Sequence, residues 1–586
     1  MPHKPKQSAR KGRDKHRPES TKRRTFGKAA AEAEIRGVQA RFSRVLTAAV
    51  VPAGKGGFYI DLSIATDGIA KVEGGLPLLP DQEEVELRFG DSYPNEPPIV
   101  RVRHQRFVGH PHVLAGQILC IYLDTDREWH PALGLEGVVI RLIEWLEDAA
   151  ADRFDSRTAL YHPIGGLPPS PGAPGFLVVR QSGADPPRKR ISRATLNGRT
   201  SSRTDLLRWT TRTEHDRPNT TSALVLRTRQ PMPFGLVKTS TLGDLLARVA
   251  AADGPTTTAS FGAIERLLPQ LVDNTLHVII EVAHPADLTL TYLACAQAKV
   301  PSTAGIRSPA HHLRTLSIEW ISVSDERPNV ATRRDHQRPT HAYTEKSVEV
   351  WGCGGLGSWM AEFITRAGAR QLVLRDSRPV TGGLLVRQNY NETDVGGAKA
   401  TQLATRLRSI SDDVEVIAET SNALEVLASS YTPSTDLLID ATINVAVAAR
   451  LDEWARQTNT STLMAQVTTD PRTATLGLLI VVDPTTGVGP ATVDDATWES
   501  IQGDPALERF HGFWTPPAKT DQLVPALGCS TPTFHGSAAD LACIAGSLVS
   551  LLAGHFDTTV SGTHLIEASH ARGPDGGGHH FIPYQS

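Results

Sequence analysis

Three glycines, Gly352, Gly354 and Gly357, follow the apolar run VEVW and lead into WMAEFITRAGA. In a G-x-G-x-x-G spacing the first glycine makes a tight turn. The second lets backbone N–H groups approach phosphate, and the third lets a helix pack on a strand. A phosphate would then rest on the positively polarised N-terminus of that helix. Taken alone, the motif suits NAD, ATP or a plain strand-to-helix turn, and residues further along carry more chemistry. Asp376 ends a second apolar strand, QLVLRD, about twenty positions past the glycines, where a carboxylate binds ribose hydroxyls. Arg387, Gln388 and Lys399 come next. Arginine forks onto phosphate oxygens and lysine acts as a point charge, a pair suited to a triphosphate or pyrophosphate. Asp440 closes the apolar run DLLID, where a carboxylate can coordinate magnesium on ATP.

The five cysteines, Cys120, Cys295, Cys353, Cys529 and Cys543, include no CxxC pair, which argues against a disulfide framework and a Cys-based zinc knuckle. A reduced cytoplasmic compartment is the expectation, and free thiols there are nucleophiles. A thiol of pKa about 8.5 is a few per cent thiolate at neutral pH, enough to attack an activated acyl group. An acceptor lysine, of pKa about 10.4, is almost wholly protonated and needs help. Asp124 and Asp126, just downstream of Cys120, could orient such an amine, or be two solvated loop acids. Cys529 lies in the loop PALGCSTPTF, which exposes a thiol better than a helix does. Cys543, among Leu541, Ile544, Ala545 and Leu548, and Cys295, in LTLTYLACAQAKV, are expected in cores, and Cys353 packs inside the glycine loop.

These residues need scaffolds. A chain of 586 residues predicts about three or four domains. With 40% hydrophobic residues, 21% charged residues and a formal net charge of -2, it has no global attraction to nucleic acid or anionic membrane. No apolar run approaches the roughly 20 residues that span a bilayer, and the basic first residues do not read as a secretory signal. Residues 1–28 read as a disordered basic tail. From Ala29 to Ala48, Ile35, Val38, Phe42 and Val45 form the stripe of an amphipathic helix. Strands are expected at FYIDLSI, IAKVEGGLPL, EEVELRF and IVRVRH, with Val85, Leu87 and Phe89 facing a core and Glu84, Glu86 and Arg88 facing water. The prolines of YPNEPP force an extended turn, and LEGVVIRLIEWLEDAA is a second helix. Residues 156–215 are rich in Pro, Gly, Ser and Arg and read as a linker; 216–345 read as a middle α/β unit without a legible motif. Four histidines near the C-terminus, His564, His570, His579 and His580, show no recognisable metal-ligand spacing.

In order, YPNEPP, His110-Pro111, Cys120, Trp129 and Pro131 give residues 29–155 a resemblance to a ubiquitin-conjugating enzyme domain. The resemblance implies an α+β fold in which Cys120 carries a ubiquitin-like protein as a thioester. His112 stands where that family has the asparagine of His-Pro-Asn, a residue that serves aminolysis. Residues 346–586 resemble the Rossmann-like adenylating domain shared by ubiquitin-activating enzymes and ThiF-type sulfur-carrier adenylyltransferases. The match is carried by GxGxxG, Asp376, Arg387-Gln388, TDVGGAKA and DATIN. It implies that Asp376 holds ribose, that Arg387 and Lys399 hold phosphates, and that Asn444 lies near the adenosine phosphate. Ile443 replaces a family aspartate, so either Asp440 takes over the metal or the metal site is weaker.

Together the resemblances imply a multidomain α/β protein that fuses activation to conjugation. It would use ATP and Mg2+ to adenylate a C-terminal carboxylate, pass the acyl group from Cys529 to Cys120, and deliver it to a lysine-bearing target. The partner would be a ubiquitin-like protein, or the C-terminus of an enzyme such as a cGAS-like nucleotidyltransferase in bacterial antiphage CBASS defence. A homodimer is implied as well, while the cysteine usage and charge balance carry the expectation of a cytoplasmic protein with no membrane or nucleic-acid partner. The alternatives are a sulfur-carrier adenylyltransferase and a non-catalytic scaffold that binds a ubiquitin-like tail.

Overall fold

The computed structural model describes residues 20–52, 58–90, 92–107, 110–154, 175–180, 189–210, 219–232, 241–284, 289–298, 309–327, 337–428, 431, 434–457, 460–515, 523–525, 530–532, 536–571 and 578–585. The chain forms two compact units, residues 1–333 and 334–586.

The first unit begins with helix α1 (Ser20–Arg41), which takes in the end of the expected tail and stops before Val45. Val45 instead opens β1 (Val45–Pro52), followed by β2 (Phe58–Ala65), β3 (Gln82–Phe89), β4 (Ile99–Arg101), β5 (Val113–Leu114) and β6 (Ile118–Leu119). They pair in the order β1-β2-β3-β4-β6-β5. IAKVEGGLPL forms turns and extended chain rather than a strand: Leu76 and Leu78 are buried, but its N–H groups bond to local carbonyls and to Ala149. A short helix α2 (Thr125–Glu128) precedes α3 (Gly134–Ala150), whose Leu135, Val138, Val139, Leu142 and Leu146 pack against Ile35, Val38 and the sheet.

β3 departs from simple alternation. Glu83 and Glu86 are both buried although they fall on opposite faces of the strand, and each is met by arginine side chains. Arg106 reaches Glu83 through two 2.7 Å hydrogen bonds, and Arg101 and Arg103 converge on Glu86. Burial alone would raise the Glu83 pKa, but the Arg106 hydrogen bond, the Leu79 N–H and the nearby positive charges outweigh it, and the net shift is downward.

The rest of this unit is a closed barrel in the ring order β10-β11-β12-β13-β7-β9-β8. Its strands are β7 (Phe176–Val179), β8 (Ile191–Thr200), β9 (Arg203–Thr210), β10 (Thr220–Arg227), β11 (Thr275–Ala283), β12 (Thr289–Gln297) and β13 (Glu319–Asp325). Residues 176–210, expected within a linker, therefore supply three barrel strands. Helices α4 (Leu242–Ala251) and α5 (Thr257–Leu267) pack outside the barrel through Leu245, Leu246, Val249, Phe261 and Ile264, and a short α6 (Pro309–Arg314) adds Leu313. Cys295 touches the barrel's inner core and is only partly buried.

The second unit is a doubly wound sheet. β14 (Ser347–Trp351), α7 (Gly355–Arg366), β15 (Gln371–Arg375), α8 (Lys399–Ile410), β16 (Glu415–Glu419), α9 (Ala423–Leu427), β17 (Leu437–Asp440), α10 (Val445–Gln457) and β18 (Leu463–Thr469) make its parallel part. Beyond these come β19 (Leu476–Val482), α11 (Pro490–Ile501), the small pair β20 (Leu523–Pro525) and β21 (Ser530–Pro532), α12 (Ala538–Ala553), β22 (Gly562–Glu567) and β23 (His579–Pro583). The sheet order is β16-β15-β14-β17-β18-β19-β22-β23, with the last three antiparallel. Leu541, Ile544, Ala545, Leu548 and Val549 of α12 are buried. Cys543 lies about 200° around the helix from Leu541 and is exposed, contrary to the core expectation. His564 is bonded at 2.7 Å to His555 and at 2.8 Å to His579, while His570 pairs with Asp540.

Glu83→Gln is expected to lower stability on the order of 2 kcal/mol, toward the low side for a broken buried pair because Arg106 stays partly exposed. A carboxylate with a depressed folded pKa contributes stability above its unfolded pKa and loses it as pH falls through the folded value. Denaturant titrations should therefore show the wild-type advantage at pH 7 shrinking below the ordinary carboxylate pKa. A wild-type advantage that is independent of pH would contradict the assignment.

Candidate functional site

In an open parallel sheet, ligands bind outside the carboxyl ends of the strands where the connections reverse direction. Here that point lies between β14 and β17, since β14 leads by way of α7 to β15 on its other side. A cavity of about 390 Å³ opens there, lined by Gly354, Asp376, Arg378, Arg387, Lys399 and Asn444 among others.

The three glycines do different work. A Cβ on Gly357 would lie 1.9 Å from the Gly352 carbonyl oxygen, and one on Gly352, at φ +87°, would lie 2.7 Å from the Ala441 oxygen. Both positions are closed by backbone. A Cβ on Gly354 would meet only Gln388 Nε2 at 3.9 Å and would otherwise project into the cavity. Asp376 braces the same loop: its carboxylate accepts from the Cys353 N–H at 2.9 Å and from the Arg378 N–H at 2.8 Å.

The cationic side is fixed from beneath. Trp359 Nε1 donates to the Arg387 carbonyl at 3.1 Å, the Asn389 N–H donates to Ser358 Oγ at 3.1 Å, and Asn389 Nδ2 donates to Glu362 at 2.6 Å. These contacts hold the Arg387-Gln388 turn over α7. Lys399 is the first residue of α8, is 7% exposed and lines the cavity. Burial pulls its pKa below the ordinary lysine value; the Asp376 charge opposes the shift and the Arg378 charge adds to it. A bound polyanion would reverse that shift. Arg378 was missed in the sequence, although it stands only two residues past Asp376.

Asp440 has a different place from the one expected. It is 1% exposed and is not part of the cavity wall. It accepts from the Thr442 N–H at 2.9 Å, the Thr442 hydroxyl at 2.6 Å and Gln466 at 3.4 Å. Thr442 Oγ1 accepts from the Asn444 N–H at 3.3 Å, and Asn444 Oδ1 accepts from the Ala446 N–H at 3.0 Å. Asp440 thus anchors the loop that carries Thr442, Ile443 and Asn444 to the cavity, and burial raises its pKa. This setting does not fit a magnesium ligand. Among the described residues, no group of three or more His, Cys, Asp or Glu could hold a metal ion. The cationic cavity does fit a nucleotide's phosphates, and Asp376 at its edge fits ribose.

In the first unit, Cys120 follows β6. Its N–H donates to the His112 carbonyl at 2.8 Å, and its thiol donates to the Tyr122 carbonyl at 3.2 Å. His112 holds φ +60° and packs edge-on against Phe154, with ring centroids 4.7 Å apart. Trp129 Nε1 donates to the Pro94 carbonyl at 3.0 Å, tying YPNEPP to the segment after the cysteine. Asp124 pairs with Arg127, and Asp126 is exposed. Glu128, which sequence reasoning passed over, accepts from the Leu123 and Asp124 N–H groups at 3.2 and 3.1 Å and pairs with Arg141. Burial, and then the charge of Glu128, push the Cys120 pKa up. Cys529 lies outside the described residues.

Comparisons with known proteins agree with this division. Residues 333–546 match the ThiF family, and residues 69–171 match Prokaryotic E2 family A. A probable ubiquitin-conjugating enzyme E2 W-A of Danio rerio is 26% identical over 98 residues, 16% of this chain and 64% of its own length. The match therefore spans somewhat less than two thirds of that relative. Among solved structures, PaaA aligns with a TM-score of 0.30 at 16% identity, over 42% of this chain and 67% of its own. MccB of E. coli with ATP aligns at 0.29 and 13% identity, over 42% and 65%. No helix among the described residues is long and apolar enough to cross a membrane.

Gly357→Ala is expected to unfold the loop and lower the melting temperature, whereas Gly354→Ala should leave it unchanged and weaken ATP binding about tenfold or more. Calorimetry on both variants checks this; equal binding by Gly354→Ala and wild type would contradict it. Glu128→Gln keeps an acceptor for the two N–H groups but removes the charge, so the Cys120 pKa should fall. Iodoacetamide labelling of Cys120 should then be faster at neutral pH, and an unchanged pH profile would show that Glu128 does not act on the thiol. The chain thus matches a Prokaryotic E2 family A model over residues 69–171 and, further along, a ThiF model over residues 333–546.

Proposed function

We propose that this protein uses ATP to activate the C-terminal carboxylate of a ubiquitin-like protein, or of a similarly tailed partner, and conjugates it to an amine. The main support is the cavity at the sheet's reversal point, where Gly354, Lys399, Arg378 and Arg387 face one space. A carboxylate oxygen would bond to the α-phosphorus of ATP and pyrophosphate would leave. Lys399 and the arginines neutralise charge as it builds on the phosphates, and the burial of Lys399 strengthens its part of that effect. Gly354 lets the backbone approach, and Asp376 orients the ribose.

A thiol then attacks the acyl carbonyl, AMP leaves, and the thiol proton passes to solvent. By its loop position in the sequence, Cys529 is assigned that role. Cys120 takes the acyl group by thioester exchange, and an acceptor lysine attacks the second thioester as the Cys120 thiolate departs. Glu128, held by two backbone N–H groups beside the Cys120 loop, is a better candidate than Asp124 or Asp126 for orienting the amine. A sulfur-carrier adenylyltransferase would leave the conjugating domain without a task. The resemblance to bacterial conjugation systems extends the reading to a cytoplasmic homodimer in antiphage defence, acting on the C-terminus of a nucleotidyltransferase.

Exchange of labelled pyrophosphate into ATP, dependent on the carrier, measures the first step. Lys399→Ala should reduce it on the order of a hundredfold, while Cys120→Ala should leave it intact. No exchange with the true carrier, or full exchange by Lys399→Ala, would refute the adenylation reading.

A further inference from the structure

A closed ring of strands has two ends, and the two ends of this barrel differ. At one end the inward positions hold Glu281, Arg227, Arg327 and Asp325, which pair with one another. Arg227 also donates to Ser192 Oγ at 2.8 Å, and Arg327 donates to Thr291 Oγ1 at 2.9 Å. Leu177, Val179, Ala194, Leu206, Ile279 and Leu293 fill the middle. At the other end the described residues leave a cavity of about 780 Å³, twice the volume of the nucleotide cavity.

The wall of this cavity carries reactive groups in register. His277 on β11 lies directly opposite Cys295 on β12, and Cys295 lies opposite Glu319 on β13. Residues directly opposite on paired strands point to the same face, so the three side chains form one row across three neighbouring strands. All three line the cavity. His277 Nδ1 and Thr221 Oγ1, also on this wall, are buried atoms without a hydrogen-bond partner. Leaving such an atom unsatisfied is costly, and a polar ligand would recover that cost.

Charge is sorted across the opening. Asp273 and Glu319 flank β12, whereas Arg199 and Arg203 belong to the β8–β9 hairpin, three strands away in either direction around the ring. Both arginines also contact Asp205. One wall is thus acidic and the opposite wall basic.

We propose that this barrel mouth binds a small zwitterion, an amino acid or a free short peptide, with its ammonium group toward Glu319 and Asp273 and its carboxylate toward Arg199 and Arg203. Barrel mouths of this size commonly hold small ligands. Burial and then the Glu319 charge push the Cys295 thiol up to about 12, so it stays protonated and serves as a wall contact and a chemical reporter. The inference does not depend on the reaction proposed above.

The test uses the full chain and triglycine, with calorimetry for binding and peptide mass mapping of N-ethylmaleimide on Cys295 for access. Triglycine should bind and slow Cys295 labelling. N-acetyl-triglycine and triglycine amide should each bind about tenfold more weakly, the loss of one charge-assisted contact. Free glycine should compete if an amino acid suffices and fail if the site needs a peptide. Glu319→Gln, at an exposed position, should keep the wild-type melting temperature and lose about tenfold in affinity. The proposal is overturned if triglycine does not bind, if the capped peptides bind as well as the free one, or if Cys295 of the folded chain is never labelled while the unfolded chain is.

Discussion

Everything in the second unit depends on one close approach. The Cα of Gly357 sits so near the Gly352 carbonyl that a methyl group there would lie at 1.9 Å from its oxygen, and Gly352 is pressed in turn against Ala441 at the end of β17, where a methyl group would lie at 2.7 Å. These contacts bring the N-terminus of α7 down onto the reversal point of the sheet. With the helix end fixed, the Arg387 turn can rest on Trp359 and Ser358, and Lys399 can enter from the start of α8. The cavity follows from backbone packing, and its charge follows from what the packing leaves room for.

The Cys120 region makes a contrasting compromise. A nucleophilic thiol gains from a low pKa, yet this one is partly buried, and its pKa is raised by that burial and by Glu128. An acyl-transfer relay tolerates such a thiol, because an acyl-adenylate or thioester is already activated and a small thiolate fraction suffices. The harder requirement is a neutral amine in the right place. In the proposed reaction a carboxylate near the cysteine would serve that step while slowing the first, and Glu128, whose charge raises the Cys120 pKa, is placed to do both.

Much of this was legible in the sequence, because the informative features were local. The glycine spacing, the strand ending at Asp376, the proline turn and the apolar stripe of α3 depend on neighbours a few residues away. Features set by distant packing were harder to read. Asp440 looked like a metal ligand at a strand end, but Thr442 and Gln466 claim its carboxylate. Cys543 sits in an apolar helix whose exposed face is itself composed of small residues. Residues 176–210 read as linker because β8 and β9 carry Arg, Thr and Asn at the barrel rim, and the apolar partners Leu196 and Leu206 gain meaning only when the ring closes. Glu86 looked like part of the wet side of a strand until Arg101 and Arg103 covered it.

The central claim is that ATP chemistry in the cavity feeds the thiol at Cys120. Mass mapping of the Cys120 peptide, after incubation with the carrier and either ATP or its α,β-methylene analogue, tests it most directly. The carrier's C-terminal residues should appear on Cys120 with ATP, disappear on treatment with reductant, and be absent with the analogue, whose α–β linkage resists cleavage. A carrier adduct on Cys120 that forms equally with the analogue, or an ATP-dependent adduct that never includes Cys120, would contradict the account.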